Sequence, residues 1–274
     1  MTQLRAALVQ LRTPADQAAA LAQAAPLVRQ AAAAGAQLIL TPEGTNILQR
    51  DRAAMLATVR PLEEDEAVQG LLALAAELKV WLLIGSALVL RPDGKIANRT
   101  VLADDAGRVV ATYDKIHMFD VDLPNGDTYR ESALYEPGEQ AAVADTPWGR
   151  LGLTICYDVR FPYLHRALAK AGAEIIVVPA AFTRPTGAAH WEVLLRARAI
   201  ETGAFVLAPA QGGVHADGRE TWGHSLAVDP WGRVLARSDD DELGVVIADL
   251  DLAEVAKARA AIPSLANERG FAAP

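Results

Sequence analysis

The chain has 274 residues, with 26 basic and 34 acidic side chains and a formal net charge of −8. This acidic balance, without a Lys/Arg cluster, argues against nucleic acid or an anionic membrane surface as a main partner. The length fits one large α/β domain or two small ones. No linker or low-complexity segment divides the chain, so we predict a single domain over residues 1–274.

Cysteine content and hydropathy bear on where the protein resides. Cys156 is the only cysteine, which precludes an internal disulfide and fits a reducing compartment. The first residues enter a strand-like run and lack the apolar region and cleavage site of a signal peptide. The longest apolar runs, such as residues 80–90, are about half the roughly 20 residues that a membrane helix needs. We therefore expect a soluble cytoplasmic protein.

The first half of the chain is predicted to alternate strands and helices and then to form hairpins. Apolar runs and alternating patterns predict strands at residues 4–11, 37–41, 80–90, 96–102 and 108–113. Helical spacing of apolar residues predicts helices at residues 14–34 and 65–78. Turn sequences at residues 91–94 and 104–107 join the last three strands, which favours antiparallel hairpins over crossovers.

A long irregular segment, residues 115–130, opens the second half and contains Pro124, Asn125 and Gly126. A loop of this length in a compact domain is usually functional. Later strands are predicted at residues 141–145, 174–179, 205–210 and 244–249, with a hairpin at 225–236 and a strand that ends at Cys156. Later helices are predicted at residues 163–170, 191–202 and 252–261.

A short internal echo suggests how these elements are layered. Residues 35–42, Gly-Ala-Gln-Leu-Ile-Leu-Thr-Pro, resemble residues 172–179, Gly-Ala-Glu-Ile-Ile-Val-Val-Pro. Each segment is predicted to be a helix end, a buried strand and then proline. Two similar halves facing each other would make a sheet-on-sheet core with helices outside.

The environment of Cys156 is typical of a strand that ends in a sharp turn. Leu151, Leu153 and Ile155 alternate with small or polar residues, and the alternation breaks at Cys156. At such a junction the sulfur can be exposed while the N–H groups of the turn hold an oxyanion. From this stretch alone, a small buried core residue is slightly favoured, since free cysteine is among the most buried residue types.

Other polar side chains also follow predicted strands. Glu43 follows the strand at 37–41, Phe182 and Thr183 follow the strand at 174–179, and Gln211 follows the strand at 205–210. Ligands of α/β sheets gather at the carboxyl ends of strands, so these residues are expected to share one mouth. Glu43 beside apolar walls is expected to have a pKa raised toward the range of a general base. The alternative is a solvated loop glutamate.

Lys115 and Glu131 complete the set of candidate catalytic residues. Lys115 precedes the apolar sequence Ile-His-Met-Phe, and its alternative is a surface lysine. Glu131 lies in Tyr-Arg-Glu-Ser, where a surface ion pair is the alternative. A cysteine, a glutamate and a lysine together can hydrolyse an amide, because they supply the nucleophile, the base and the oxyanion partner.

Metal and nucleotide sites are not indicated. The five histidines show no HExxH pattern, and no second cysteine helps them to bind zinc. Spacing alone leaves a Cys–His dyad with Cys156 open, but His190, His215 and His224 are predicted to be hydrogen-bonded loop or core residues. The chain has neither GxxxxGK[ST] nor GxGxxG, so no nucleotide loop is predicted.

Three motifs resemble those of the nitrilase superfamily of carbon–nitrogen hydrolases. They are Leu-Thr-Pro-Glu43-Gly, Tyr-Asp-Lys115-Ile-His-Met-Phe-Asp and Gly-Leu-Thr-Ile-Cys156-Tyr-Asp-Val-Arg-Phe-Pro, and Glu131 matches the second glutamate of that family. The resemblance covers nearly the whole chain. Residues 181–191, 195–202 and 223–232 look most like the deaminated-glutathione amidase branch, and the related omega-amidases share much of this pattern.

The resemblance implies a fold, a mechanism and an assembly. The fold is an α-β-β-α four-layer sandwich of the α/β class, which pairs through its cysteine-bearing side into a homodimer or a higher homo-oligomer. Glu43 would be the general base, Lys115 the oxyanion stabiliser and Cys156 the nucleophile. The Tyr157 N–H would be a second oxyanion donor, and Glu131 would orient Lys115 and the substrate or water. No metal or organic cofactor is expected.

The resemblance also implies a substrate class. We expect a small carboxylate-bearing amide, foremost deaminated glutathione, to be hydrolysed to acid and ammonia. Phe182 and Thr183 are expected to contact it, and Arg184 is a candidate for its carboxylate. Residues 44–46 differ from the Ala-Phe pair that many relatives have at this point, and this difference bears on the specificity for the leaving group of the amide.

Three alternatives remain at this point. Two are enzymes, an omega-amidase acting on α-ketoglutaramate and an N-carbamoyl amino acid hydrolase. The third is a non-catalytic scaffold or binding protein. An activated cysteine is expected to be partly thiolate and to react with iodoacetamide faster than a free thiol does, which separates an enzyme from a scaffold.

Overall fold

Two six-stranded sheets form the framework of the protein in this computed structural model, which describes residues 2–123 and 126–272. Pro124 and Asn125 of the predicted loop lie outside the described residues. The strands of the first sheet are β1 (Gln3–Gln10), β2 (Leu38–Leu40), β3 (Trp81–Leu90), β4 (Ile96–Ala103), β5 (Val109–Asp114) and β16 (Gly244–Asp251). The strands of the second are β8 (Ala142–Thr146), β9 (Gly149–Leu153), β10 (Ile175–Val177), β11 (Phe205–Ala208), β14 (Leu226–Val228) and β15 (Val234–Arg237).

Short hairpins and helices complete the described part. The hairpin strands are β6 (Asp120–Asp122) with β7 (Thr128–Arg130), and β12 (Gly212–Val214) with β13 (Glu220–Trp222). The helices are α1 (Gln17–Ala33), α2 (Arg52–Thr58), α3 (Glu66–Leu78), α4 (Pro162–Lys170), α5 (Arg184–Thr202) and α6 (Ala253–Ala261). Among the described residues, none of these helices has the length and apolar character needed to cross a bilayer.

The two sheets have the same plan. Their orders are β16-β1-β2-β3-β4-β5 and β15-β14-β11-β10-β9-β8. In each sheet a parallel triplet, β1-β2-β3 or β9-β10-β11, is flanked by antiparallel strands. The predicted hairpin series β3-β4-β5 is confirmed by its antiparallel pairing.

Alternation along the strands separates the layers. Leu4 and Leu8 of β1 share one buried cluster with Leu151 and Leu153 of β9, so the two sheets pack face to face. Residues on the opposite face of the first sheet, such as Val9, belong to a second buried cluster that includes residues of α1 and α3. Helices α4 and α5 contact the second sheet. Strands with a period of two thus bury both faces, which produces four layers.

The internal echo corresponds to equivalent positions in the two sheets. Strands β2 and β10 lie at the centres of the two parallel triplets. Gly35 and Gly172, which precede them, have φ values of +83° and +92°, a conformation that favours glycine. Gln37 N donates to the Arg5 carbonyl at 2.8 Å, and Glu174 N donates to the Arg150 carbonyl at 2.9 Å. The predicted pair of facing halves is therefore present.

Three local features differ from the sequence prediction. Helix α5 begins at Arg184 instead of residue 191, because Pro185 in its first turn starts a helix without losing a hydrogen bond. The predicted irregular segment 115–130 contains the β6-β7 hairpin. Helix α2 was not predicted, although the Asp51 carboxylate caps it by accepting from Ala54 N at 2.7 Å.

Gly85 in β3 lies where the ends of the two central strands meet. A Cβ atom at this position would lie 1.8 Å from the Thr41 carbonyl oxygen and 2.4 Å from Pro179 Cβ. We expect Gly85→Ala to lower the free energy of unfolding by about 1–3 kcal/mol, because the added methyl group overpacks this junction. Urea denaturation measures the change.

The matched control is Gly244→Ala in β16, where a Cβ atom would have no heavy atom within 4 Å. We expect this variant to change the free energy of unfolding by at most about 0.5 kcal/mol. Equal effects of the two substitutions would contradict a specific packing role for Gly85.

Candidate active site

Seven of the residues proposed from the sequence line one cavity of about 260 Å³. Its lining includes Glu43, Lys115, Glu131, Cys156, Tyr157, Phe182 and Thr183. These side chains come from the carboxyl ends of β2, β5, β7, β9 and β10. Strand ends from both sheets therefore meet at this cavity, as expected for ligand sites of α/β sheets.

Lys115 links the two glutamates. Its Nζ donates to Glu43 Oε1 at 2.8 Å and to Glu131 Oε1 and Oε2 at 2.8 and 2.9 Å. The Lys115 side chain is only 2% exposed, so the ammonium group is held almost entirely by these carboxylates. A buried cation is tolerated only with such pairing. The surface-lysine alternative is therefore wrong, and so are the solvated Glu43 and the surface ion pair of Glu131.

Further donors fix the two carboxylates. Ala181 N donates to Glu43 Oε2 at 2.9 Å, and Phe119 N donates to Glu131 Oε2 at 2.6 Å. Asn98 Nδ2 donates to Glu43 Oε1 at 2.9 Å and more weakly to Glu131 Oε1 at 3.4 Å. Both carboxylates are consequently oriented by at least three groups each, which leaves little freedom of rotation.

The pKa of Glu43 shifts in the direction opposite to the sequence prediction. Burial alone would raise this pKa, but attraction to the Lys115 ammonium outweighs it, together with hydrogen bonds involving Cys156, Lys115 and Asn98. The pKa of Glu43 therefore lies below its ordinary value. Glu43 is buried, but the cation at 2.8 Å from this carboxylate is a neighbour that the sequence does not reveal.

Glu131 and Lys115 have raised pKa values. Burial raises the pKa of Glu131, and repulsion from Glu43 adds to it, against the attraction of Lys115. Burial would lower the pKa of Lys115, but the attraction of Glu131 and Glu43 raises it well above the ordinary value. Lys115 thus stays a cation, and Glu43 is the carboxylate that stays ionised more readily.

Cys156 occupies a strained turn directly after β9. Its φ is +49°, in the left-handed region that non-glycine residues rarely adopt. Its N–H donates to the Pro179 carbonyl at 2.9 Å, and residues Cys156–Arg160 form a 3₁₀ helix that leads into α4. This is the predicted strand, turn and helix. Cys156 is 7% exposed and still lines the cavity, so it is both buried and accessible to a ligand.

The Cys156 thiol is not activated in the protein without substrate. Burial and repulsion from the Glu43 carboxylate raise its pKa well above the ordinary value, although Lys115 opposes this. The expectation of a partial thiolate is therefore wrong. A neutral thiol beside a carboxylate base can transfer its proton to that base as the new bond to sulfur forms. Slow reaction with iodoacetamide is thus compatible with an enzyme.

Asp158 holds the turn from behind. Its carboxylate is fully buried and accepts from Ile155 N at 2.9 Å and from the Tyr113 hydroxyl at 2.6 Å. His117 N and Nδ1 lie 3.1 and 2.6 Å from the other carboxylate oxygen. The stretch containing Lys115 and the stretch containing Cys156 are thereby joined, which fixes their separation.

The remaining sequence candidates have diverse positions. Tyr157 lines the cavity and packs edge-on against Phe119 at 5.1 Å between ring centroids, while Phe182 packs against Trp191 at 4.8 Å. Gln211 does not line the cavity. Its side-chain amide instead donates to the Glu43 carbonyl at 2.9 Å and therefore supports the backbone of that residue.

Two further candidates are excluded. Arg184 does not line this cavity, and its guanidinium is paired with Glu220 at 3.1 Å and with Asp241. Because Arg184 is paired with these acidic residues outside the cavity, it is not positioned to bind a substrate carboxylate there. A Cys–His dyad is also excluded, because none of the five histidines, all of them within the described residues, lines the cavity.

Histidines predicted to be structural are hydrogen-bonded. His215 is buried, its Nε2 lies 2.7 Å from Thr221 Oγ1, and burial lowers its pKa to about 4. His224 Nδ1 lies 2.6 Å from the Trp222 carbonyl, and His190 Nδ1 lies 3.3 Å from both Nη atoms of Arg160. Within residues 2–123 and 126–272, no cluster of three or more His, Cys, Asp or Glu side chains is arranged to hold a metal ion.

Sequence reasoning missed Asn98, Tyr135 and Arg219, all of which line the cavity. Asn98 interrupts the apolar strand at residues 96–102, a signal that was available. Tyr135 and Arg219 lie in stretches without periodicity, and only the folded chain places them here.

Asn98 is a positioning residue whose role is testable. In Asn98→Leu, Glu43 loses a hydrogen bond that stabilises its charged form, so its pKa should rise. We expect the acidic limb of the pH–kcat/KM profile to move up by about one unit, the value of one charge-assisted hydrogen bond. The basic limb should not move.

The control is Asn98→Asp at neutral pH, which keeps the shape of the side chain but adds a third carboxylate. This variant should lose more activity than Asn98→Leu, because it competes for Lys115. An acidic limb that is unchanged in Asn98→Leu would contradict the positioning role.

Comparison with known proteins places this geometry in context. The carbon-nitrogen hydrolase family model matches residues 5–260. A Yersinia enterocolitica protein named deaminated glutathione amidase is 44% identical over 243 residues, which are 88% of this chain and 84% of that protein. A human protein of the same name is 41% identical over 268 residues, which are 96% of this chain and 81% of that protein.

A solved structure shows the same architecture. The crystal structure of Saccharomyces cerevisiae Nit3, described as a member of branch 10 of the nitrilase superfamily, matches with a TM-score of 0.86 and 30% identity. The match covers 96% of this chain and 95% of that chain. The predicted nitrilase-type α-β-β-α sandwich is confirmed.

Proposed function

This chain belongs to the carbon–nitrogen hydrolase family, and on that premise we propose that it hydrolyses deaminated glutathione through Cys156. The family, together with the amidases among the relatives, confirms the predicted reaction class, hydrolysis of an amide. The proposed substrate is supported by the names of its relatives from Yersinia enterocolitica and human. The proposal treats residues 1–274 as a single domain, which is supported by the buried cluster that both sheets share.

One observation carries the proposed mechanism. A single buried ammonium, Lys115 Nζ, contacts Glu43 and Glu131 in a cavity that also contains the only thiol of the chain. A nucleophile, a base and a cation for developing negative charge are thus within one small volume. This set satisfies the requirements of acyl transfer through a covalent intermediate.

In the first half-reaction, the Cys156 thiol attacks the amide carbonyl carbon while the Glu43 carboxylate accepts the thiol proton. Negative charge develops on the carbonyl oxygen, and we assign Lys115 Nζ and the Tyr157 N–H to stabilise it. The carbon–nitrogen bond then breaks, and the departing amine takes the proton from Glu43. A thioester between the acyl group and Cys156 remains.

In the second half-reaction, water attacks the thioester carbonyl and transfers a proton to Glu43. The carbon–sulfur bond breaks, the acid is released, and the sulfur recovers the proton. Glu131 keeps Lys115 in place through both steps, because it accepts from Lys115 Nζ at 2.8 Å. No group other than these side chains and water is needed for the atoms and charges to balance.

The proposed substrate fixes the leaving group. Glutathione is γ-glutamyl-cysteinyl-glycine, and its amides are secondary. Hydrolysis of the deaminated glutamyl amide therefore releases the dipeptide amine cysteinylglycine, so the ammonia expected from the sequence is wrong for this substrate. Ammonia is the product only for primary amides such as α-ketoglutaramate. The acyl product is a dicarboxylic acid in either case.

The other activities have weaker support. The omega-amidase alternative is not favoured, because the relatives at 41–44% identity bear the name deaminated glutathione amidase. The buried ion cluster of Glu43, Lys115 and Glu131 argues against a non-catalytic scaffold, because an unused buried ion cluster destabilises a fold.

A substrate panel tests the function. Deaminated glutathione, α-ketoglutaramate and an N-carbamoyl amino acid are compared at equal enzyme concentration, with primary amine or ammonia measured as fits each substrate. We expect the highest kcat/KM for deaminated glutathione. A hundredfold preference for either of the other two would refute this substrate and leave the amidase chemistry intact.

A homodimer is proposed on surface chemistry. Val193 and Ile200 on α5 are 68% and 53% exposed, and Trp231 is 50% exposed. Ile200 and Trp231 are close together, since the neighbouring Gly232 lies against the Ile200 side chain. Apolar patches of this kind mark association sites. Light scattering after gel filtration should give twice the monomer mass of 29.1 kDa, and a monomer would refute the assignment.

A cytoplasmic location is proposed on the chemistry of Cys156. It is a free thiol, and the proposed mechanism fails once it is oxidised. A reducing compartment preserves it. Cell fractionation that finds the protein outside the cytoplasm would refute this location.

A further inference from the structure

Arg219 lies where the catalytic cavity meets a second cavity of about 480 Å³. The two cavities share Arg50, Tyr129, Thr183 and Arg219 in their walls. Cys156 lines only the first cavity. Arg219 therefore marks the mouth through which the catalytic cavity continues outward.

The charge of Arg219 is only weakly compensated by the protein. Its Nε is buried and has no hydrogen-bond partner among the described residues. Its ion-pair partner, Asp217, has its Oδ2 atom 3.9 Å from Nη2, beyond hydrogen-bond distance. The Arg219 side chain is 20% exposed. A largely buried guanidinium with so little pairing gains from any anion that reaches it.

Other arginines at the mouth have their own partners. Arg130 pairs with Asp122 at 2.7 Å, and Arg184 pairs with Glu220 at 3.1 Å and with Asp241. Arg50 lies with its guanidinium carbon 5.3 Å from the centre of the Tyr129 ring, and no ion pair is formed by it within the part of the chain that the structure describes. Arg219 and Arg50 therefore supply the positive charge that is available to a ligand.

The hairpin loop between β12 and β13 holds Arg219 in place. His215 N donates to the Arg219 carbonyl at 2.8 Å, and Arg219 N donates to Asp217 Oδ1 at 2.9 Å. The buried His215 ring contacts Thr221 Oγ1 at 2.7 Å. The backbone of Arg219 is thus ordered before a ligand arrives, which lowers the entropy lost on binding.

We infer that Arg219, assisted by Arg50, binds the carboxylate on the leaving side of the substrate, an inference that rests on the proposed function. The acyl group must stay on Cys156 while the amine departs, so the leaving side faces the mouth. In deaminated glutathione the leaving group ends in the glycine carboxylate. An extended dipeptide spans at most about 7 Å, a length suited to the passage between two adjoining cavities.

A substrate without this charge provides the test. Deaminated glutathione is compared with its glycinamide analogue, which has a neutral carboxamide in place of the terminal carboxylate. We expect the wild type to prefer the carboxylate by about 30-fold in kcat/KM, the range of one charge-assisted interaction. Arg219→Gln should lose that preference and turn over both substrates within about threefold of each other.

Two more variants sharpen the result. Arg219→Lys keeps the positive charge but loses the planar guanidinium that can donate two parallel hydrogen bonds to a carboxylate. It should retain part of the preference for the carboxylate substrate. Arg184→Gln is the matched control, since this arginine lines the outer cavity but is already paired with Glu220. It should keep the wild-type preference.

The outcomes are distinguishable. An equal loss on both substrates in Arg219→Gln would overturn the inference and leave the proposed function standing. Loss of the preference in Arg184→Gln would overturn it as well. Absence of turnover of both substrates by the wild type would refute the proposed function and the inference together.

Discussion

Cys156→Ala is expected to lower kcat for amide hydrolysis by about 10⁴-fold or more, because the covalent pathway is lost with the sulfur atom. The backbone of residue 156 has φ +49°, and alanine tolerates this conformation no better and no worse than cysteine does. The free energy of unfolding should therefore change by about 1 kcal/mol or less. Activity is measured by amine release and stability by urea denaturation.

A covalent intermediate gives the most direct control. Cys156 is the only cysteine of the chain, so a thioester adduct has one possible site. Wild-type enzyme quenched in acid during turnover should show the mass of the acyl group, and Cys156→Ala should not. A variant that retained more than about a hundredth of wild-type activity would contradict nucleophilic catalysis by sulfur.

The raised pKa of Cys156 adds a kinetic expectation. Because the resting thiol is neutral, the rate of alkylation by iodoacetamide at pH 7 should not exceed that of a free thiol. Alkylation should accelerate as pH rises. A fast reaction at neutral pH would contradict a proton transfer that accompanies attack on the substrate.

Lys115→Met is expected to remove activity and to destabilise the protein. We expect kcat to fall by about 10³-fold or more through loss of oxyanion stabilisation. The free energy of unfolding should fall by about 3–5 kcal/mol at neutral pH, because Glu43 and Glu131 remain buried without a cation.

The pH dependence of this destabilisation has a definite sign. In the wild type the pKa of Glu43 is lowered, so its contribution to stability is present above the unfolded pKa and is lost as pH falls through the folded pKa. Without Lys115, burial raises the pKa of both glutamates. Acidification then protonates them, so the stability deficit of Lys115→Met should shrink as pH falls from 7 to 5.

A compensated variant separates charge from catalysis. Lys115→Met combined with Glu43→Gln and Glu131→Gln removes the whole ion cluster and should recover most of the lost stability. It should recover no activity, since base and oxyanion partner are both absent. A single Lys115→Met variant as stable as the wild type would contradict the assignment of Lys115 as the only cation for the two carboxylates.

The pKa of Glu43 illustrates why pKa shifts in the site cannot be predicted from the sequence. The motif around Glu43 predicts apolar walls, and the structure shows that Glu43 is buried but has polar partners. The direction of its pKa shift nevertheless depends on one nitrogen atom at 2.8 Å, from a residue 72 positions later in the chain. Electrostatic energies vary steeply over a few ångströms, so a pattern without distances does not fix their sign.

Arg184 and Arg219 show that the prediction of substrate contacts from sequence has the same limit. Both arginines lie near the cavity, but the sequence suggests only Arg184 as a candidate for the substrate carboxylate. The structure pairs Arg184 with acidic residues and leaves Arg219 weakly paired at the mouth. Whether a charged side chain is free to bind a ligand depends on the residues next to it in the folded protein.

The sequence by itself predicted two facing halves, and its resemblance to a known family implied the layer order and the proposed site residues Glu43, Lys115, Glu131 and Cys156. Apolar periodicity, glycine stops and short motifs are local, and local patterns survive in the linear chain. Only the tertiary structure decided the directions of the pKa shifts in the site, the support from Asn98 and Asp158, and the position of Arg219 at the mouth of the cavity. These depend on contacts between distant residues, whose energies follow from distance and burial, and neither is encoded in spacing.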